Sequence, residues 1–383
     1  MVKIMLVMLK VLKFLLLIVI VLGILFFFFK VQIENFILSR FSTVASNTFV
    51  SSISATPQDI EIYASNLDVP WEVVFLPSQE MLVTLRKGEL LIYNNKNIIN
   101  TFKINDVNSE GEGGLLGIAV HPNFESNNYV YLYFTTKNNN RFENRVARYL
   151  YKNGNLDFDK IILSDIRGNI YHNAGKIAFG PDGFLYITAG DALDEPLAQN
   201  KSVLAGKILR VDAEGKFPKD NPFNNEVYSF GHRNPQGLTW DSENILWSTE
   251  HGQSGLKSGQ DELNKITKGS NYGWPLARGN QDFPNFVSPI IHSGDNETWA
   301  PGDTEYYAGN IFFTGLRGSG IYRYDISNKT LTKYLENQFG RLRAITLGPD
   351  GFFYLTTSNK DGRGTPKDGD DKILKINPRI FFN

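Results

Sequence analysis

The sequence predicts an all-β propeller preceded by one N-terminal transmembrane helix. Three observations predict it: one short motif recurs along the chain, residues 14–29 carry no charge, and no long amphipathic stretch competes with the strands. The motif is an apolar alternating strand, a P-x-x or P-D-G type turn, and a second strand ending in Thr or Ser. It reads VVFLPSQEMLVTL at 73–85, IAVHPNFESNNYVYLYFT at 118–135, IAFGPDGFLYITAGD at 177–191, LTWDSENILWSTEHG at 238–252 and ITLGPDGFFYLTTS at 345–358. A looser copy, GNIFFTGLRGSGIYRYD, covers 309–325. Alternation with period two across a tight turn is a hairpin signal. Six hairpins spaced roughly 40–60 residues apart point to a radial repeat of antiparallel sheets. An open β-sandwich would give no motif shared between hairpins.

The helix is predicted from FLLLIVIVLGILFFFF at 14–29. Counted back to Ile4, the apolar stretch reaches the ~20 residues that a bilayer core requires. Lys3, Lys10 and Lys13 precede the core and only Lys30 follows closely. The positive-inside bias puts the N-terminus in the cytoplasm and the rest of the chain outside. A cleaved signal peptide would carry a shorter apolar region followed by small residues, whereas KVQIENF follows here. Residues 31–58, rich in Ser and Thr, read as a tether, and 59–383 as the propeller.

Composition narrows the chemistry. The 383 residues carry a formal net charge of -1, which gives no basis for a nucleic-acid partner. The absence of cysteine removes disulfides, thiolate metal sites and a thiol nucleophile. Polar clusters flank the hairpins at GEGGLLG (111–117), YHNAGK (171–176), FGHRNPQG (230–237), TEHGQSGLKSGQDELN (249–264), NYGWP (271–275), ETWAPGD (297–303) and GRLR (340–343). Core packing does not call for His, Arg and Asn beside Gly at such junctions. Propeller loops converge on one channel mouth, so distant segments can build one site. Sequons begin at Asn200, Asn296 and Asn328.

HNAGKIAFGPDGFLYITAGD, LAGKILRVD (204–212), FGHRNPQGL and DELNKITKGSNYGWP together resemble the PQQ-dependent soluble glucose and aldose sugar dehydrogenases. The resemblance runs in order from about 66 to 377. It implies a six-bladed propeller of four-stranded antiparallel blades, with PQQ and a calcium ion at the channel mouth. His172 matches the family's catalytic base, which takes the proton of the sugar C1 hydroxyl, a task suited to an imidazole. Asp191 matches the aspartate that orients it. Arg233 and Asn234 match the cofactor-contacting pair. Arg341 and Arg343, on one side of a strand, match two cofactor-facing arginines. PQQ carries three carboxylates and an ortho-quinone, which arginines suit as planar, permanently charged donors. Thr298 matches a further site residue. Gly252 and Gln253 match positions whose carbonyls hold calcium, and Gln253 stands where the family usually has proline. Asp261 and Glu262 resemble the acidic pair after that loop.

Two departures stand out. Arg317 replaces a lysine that contacts PQQ in the glucose enzyme. Glu112 replaces a glutamine near the sugar, and a carboxylate beside an anionic cofactor is unfavourable unless a cation pairs with it. The expected activity is oxidation of an aldose at C1 to its lactone, with electrons passing to a membrane or soluble acceptor. Two other readings stay open, a non-catalytic binding propeller and a calcium-dependent lactonase.

Overall fold

The computed structural model describes residues 59–254, 258–279 and 285–382, together with the backbone of Phe49–Val50. The predicted membrane helix and most of the predicted tether lie outside the described residues. Among the described residues no helix is long and apolar enough to cross a membrane.

Turn chemistry makes the hairpins. At Gly180-Pro181-Asp182-Gly183, the Gly183 N–H closes on the Gly180 carbonyl at 2.9 Å. Gly183 takes φ +80°, a left-handed value that favours glycine. Asp182 also accepts from the Tyr186 hydroxyl at 2.9 Å, stapling turn to strand. The copy at 348–351 repeats this, with Asp350 accepting from Tyr354 at 3.0 Å.

Six sheets result. Blades 1–5 begin with the inner strands Pro70–Phe75, Leu115–Val120, Ile177–Phe179, Pro235–Trp240 and Pro301–Tyr307. Each continues outward through three antiparallel strands in sequence order. Blade 6 runs Leu342–Leu347, Phe353–Thr357, Ile373–Ile376, and its outer strand is Ile60–Ala64 from the other end of the domain, with Ile60 opposite Ile376. This pairing closes the ring. Phe49–Val50 adds a parallel edge to blade 5, which therefore has five strands rather than four. The looser copy at 309–325 is also placed differently from its fellows. Five copies form the inner hairpin of a blade, whereas this one forms the middle pair, Asn310–Gly315 and Gly320–Asp325.

In three blades the Thr near the end of the second strand has a reason. Thr84 donates to the Leu116 carbonyl at 2.6 Å, Thr249 to Gly302 at 3.0 Å and Thr314 to Arg343 at 2.6 Å. Each bond links a blade to the inner strand of the next. Between these seams the blades bury apolar faces, such as Leu116, Ile177, Ile187 and Leu209. Such burial is the main stabilising term, at roughly 25 cal/mol per Å².

The channel beneath the mouth is charged. Lys176, at the inner edge of blade 3, bonds Glu72 of blade 1 at 2.9 Å and Asp303 of blade 5 at 2.7 Å. Glu305 lies beside them and accepts from the Leu347 N–H at 3.3 Å. Burial pushes the Glu305 carboxyl from 4.5 up to about 7, with Lys176 opposing and Asp303 reinforcing. Its folded value lies above its unfolded one. Its contribution to stability is therefore complete below about pH 4.5 and is lost as pH rises through about 7. Glu305→Gln is expected to remove that dependence and to stabilise the domain by about 2–3 kcal/mol at pH 8. Urea unfolding at pH 5 and pH 8 measures this, and an unchanged pH dependence in the variant would refute it.

Candidate active site

The loop 171–176 carries the candidate base in a conformation that its sequence alone does not favour. His172 and Ala174 take φ of 58° and 53°. Non-glycine residues there hold stored strain, which the surroundings must over-determine. The Glu112 carboxylate accepts from the His172 N–H at 2.9 Å. Asn234 Oδ1 accepts from the Ala174 N–H at 3.0 Å, and the Tyr133 hydroxyl donates to the Asn173 carbonyl at 2.8 Å. Behind the loop, a Cβ on Gly190 would sit 1.9 Å from the His172 carbonyl oxygen. Gly190→Ala is expected to displace this loop, lowering activity by about 10²-fold. The parent fold should persist, which far- and near-UV circular dichroism would check. Full activity in a folded variant would refute the close approach.

His172 Nδ1 lies 2.7 Å from Asp191 Oδ1. Asp191 also accepts from Trp274 Nε1 and from the Leu193 N–H, each at 2.9 Å. It is fully buried. Burial pushes its carboxyl up, but the His172 hydrogen bond, the charges of His172 and Arg233, and the Leu193 N–H together hold it below the usual range. An ionised carboxylate at Nδ1 selects the Nδ1–H tautomer. Nε2 then carries the lone pair, and it has no protein partner among the described residues. The side chain is 12% exposed, so the ring opens on the mouth.

Arginines are tied electrostatically to the carboxylates that hold this loop, Asp191 and Glu112. Arg233 lies 5.3 Å over the Trp274 ring and donates to Ser254 at 3.0 Å. Its backbone N–H and the His232 ring are held by Glu250. Arg341 bonds Asp361 at 2.9 and 3.0 Å. Arg343 lies 5.4 Å over Trp71 and donates to Gln236 at 3.3 Å. Burial pushes it down to about 10, against the pull of Asp361. Arg317 donates to Ser258 at 3.4 Å and feels both Asp261 and Arg341. Glu112 acts electrostatically on Arg86, Arg233 and Arg343, which ties the set together.

This cluster fits an oxygen-rich anion. The Nε–H groups of Arg86 and Arg343 are buried without an acceptor. An unmet buried donor is costly, and two in a crowd of cations are met best by a polyanion. Calcium has thinner support. Among the described residues no group of three or more carboxylate or imidazole side chains could hold a metal. The Gln253 carbonyl already accepts from the Gly259 N–H at 3.2 Å, which leaves it one lone pair, and the Gly252 carbonyl has no described donor. Asp261 is occupied by the Gly252, Trp299 and Ala300 N–H groups and by the Thr298 hydroxyl, between 2.7 and 2.9 Å. It therefore orders two loops rather than presenting a free carboxylate. Burial, and next Glu250, raise Glu262 to about 8. The asparagines that begin the three sequons are all exposed.

Sequence reasoning missed four participants. Arg363 bonds Glu112 at 2.6 Å, and Arg86 joins the cationic wall. Trp274 supports Asp191. His251 donates from Nε2 to the Pro301 carbonyl at 2.8 Å, and burial pushes it down to about 4. The one available signal was chemical, since Glu112 beside an anion site required a cation. Nothing in DGRG (361–364) identified which one.

Comparison with known proteins identifies the family. The glucose/sorbosone dehydrogenase family model matches residues 67–366. The PQQ-bound aldose sugar dehydrogenase of Streptomyces coelicolor is 35% identical, with a TM-score of 0.76, covering 83% of this chain and 97% of that one. The aldose sugar dehydrogenase YliI of Escherichia coli is 29% identical over 374 residues, covering 86% of this chain and 96% of the relative. Quinoprotein glucose dehydrogenase B of Acinetobacter calcoaceticus is 30% identical over 276 residues, covering 63% and 57%. With its propeller, its histidine–aspartate pair and its arginine wall in the places the family model spans, the chain belongs to the glucose/sorbosone dehydrogenase family.

Proposed function

We propose that this protein oxidises an aldose at C1 to its lactone with PQQ as the acceptor, and that His172 is the base. The observation that carries this reading is the His172–Asp191 contact at 2.7 Å, which leaves Nε2 without a protein partner among the described residues. When bound, PQQ supplies a two-electron quinone acceptor for the C1 hydride. Arg86, Arg233, Arg317, Arg341 and Arg343 would hold its carboxylates and quinone oxygens, with Asn234 and Thr298 at its edge. His172 takes the proton of the C1 hydroxyl at Nε2 as the C1–O bond gains double-bond character. Asp191 stabilises the resulting imidazolium and keeps the ring from turning. Arg233 would stabilise the negative charge that develops on a quinone oxygen when the cofactor accepts the hydride. Calcium is proposed at the Gly252 and Gln253 carbonyls, where oxygen ligands suit it.

The test uses the full-length chain in detergent. Titration with PQQ, with and without Ca²⁺, is followed by absorbance, and dye reduction is then assayed with glucose and other aldoses. Saturable binding and aldose-dependent turnover are expected. No turnover above the cofactor-free protein for any aldose would overturn the reading, and lactone hydrolysis without PQQ would favour a lactonase. A membrane-tethered enzyme with its propeller outside the cell would deliver electrons close to the membrane quinone pool. Recovery of the chain in the membrane fraction after a salt wash is expected on that view, and recovery in the soluble fraction would refute it.

A further inference from the structure

Glu112 holds two partners with two oxygens. One oxygen accepts from the His172 N–H at 2.9 Å and the other from Arg363 at 2.6 Å. All three side chains reach the mouth, being 21% exposed for Glu112, 31% for Arg363 and 12% for His172. The Arg363 guanidinium also lies 5.3 Å over the ring of Tyr171, the residue before His172. The loop is thus gripped on both sides of its first peptide bond. The charges facing Glu112 are Arg363, His172 and His251, and more weakly Arg86, Arg233 and Arg343.

We propose that Glu112 and Arg363 form one positioning unit for His172, each residue requiring the other. The inference rests on His172 being the base. A carboxylate has acceptors on both oxygens, so it can satisfy the His172 N–H and the guanidinium together. A glutamine at 112 has only one. If its oxygen served His172, its amide would point N–H groups at Arg363, donor against donor. The pair also solves a charge problem, since it adds no net charge beside an anionic cofactor. An unpaired Glu112 there would repel the cofactor, and an unpaired Arg363 would bring another cation to a wall already crowded with arginine.

The test compares Glu112→Gln, Arg363→Gln and the double variant. Imidazole titration by NMR in the cofactor-free full chain gives a readout that needs no turnover, with His172 identified among the five histidines by the signal lost in His172→Gln. Removing the Glu112 charge should move the His172 midpoint down, and removing Arg363 should move it up, each by on the order of half a pH unit. In the loaded enzyme, the acid limb of kcat/KM should follow the same two directions. Each single variant should lose about ten-fold in kcat/KM, and the double variant should lose less than either. A His172 midpoint unmoved in both single variants, or losses that multiply in the double variant, would overturn the proposal. If the parent turns over no aldose, the proposed function fails on its own, while NMR and a urea-unfolding cycle on the same variants still decide the pair.

Discussion

Replacing His172 with glutamine is expected to lower kcat for aldose oxidation by about 10²–10⁴-fold, the usual contribution of a positioned base. The amide matches the imidazole in polarity and approximate length and can still donate to Asp191 across the 2.7 Å contact. What it lacks is a basic lone pair at the position of Nε2. The arginine wall does not depend on this side chain, so PQQ binding by absorbance titration should remain close to the parent. The acid limb of the pH–kcat/KM profile should vanish. Asp191→Asn should give a smaller loss by a different route. The ring would then face an amide that can donate, so the wrong tautomer is favoured, and the Trp274 N–H would lose a charged acceptor. A His172→Gln enzyme within a few-fold of the parent rate would remove this residue from the chemistry.

The largest expected effect on stability comes from Lys176→Met, at about 3–5 kcal/mol, the cost of leaving a buried charge without its partner. Lys176 of blade 3 bonds Glu72 of blade 1 and Asp303 of blade 5, so it joins alternate blades across the channel. Burial, with Asp303 adding and Lys176 opposing, already pushes Glu72 up to about 8. Because the folded value lies above 4.5, this carboxyl's contribution is complete below about pH 4.5 and is lost as pH rises through about 8. Without the ammonium the carboxylates must stay protonated, so the deficit should grow with pH. Urea unfolding at pH 6 and pH 9 reads both features. Pairing Lys176→Met with Glu72→Gln should restore a substantial part of the loss, since both ends of one contact are then neutral. A variant as stable as the parent at pH 9 would show that the channel is solvated rather than sealed by this cluster.

The propeller is legible in the local pattern of the chain. Period-two alternation and P-D-G turns are local, because side-chain direction and left-handed glycine are decided within a few residues. That is why Gly183 and its counterpart Gly351 could be read in advance. Family resemblance, joined to that local logic, also singled out His172, Asp191, Arg233, Arg317, Arg341 and Arg343. It did not reveal that the fifth copy sits one strand further out, since a hairpin motif states pairing and not its distance from the axis.

The matching of charges, by contrast, emerges only once the ring is closed. Glu112 and Arg363 lie about 250 residues apart, as Lys176 lies far from both Glu72 and Asp303. Ring closure alone brings such groups within hydrogen-bond reach. Coulomb energy depends on separation and local dielectric, neither of which is written in sequence spacing. The carboxylate that looked unfavourable beside an anionic cofactor is therefore neutralised by a cation that no motif announced.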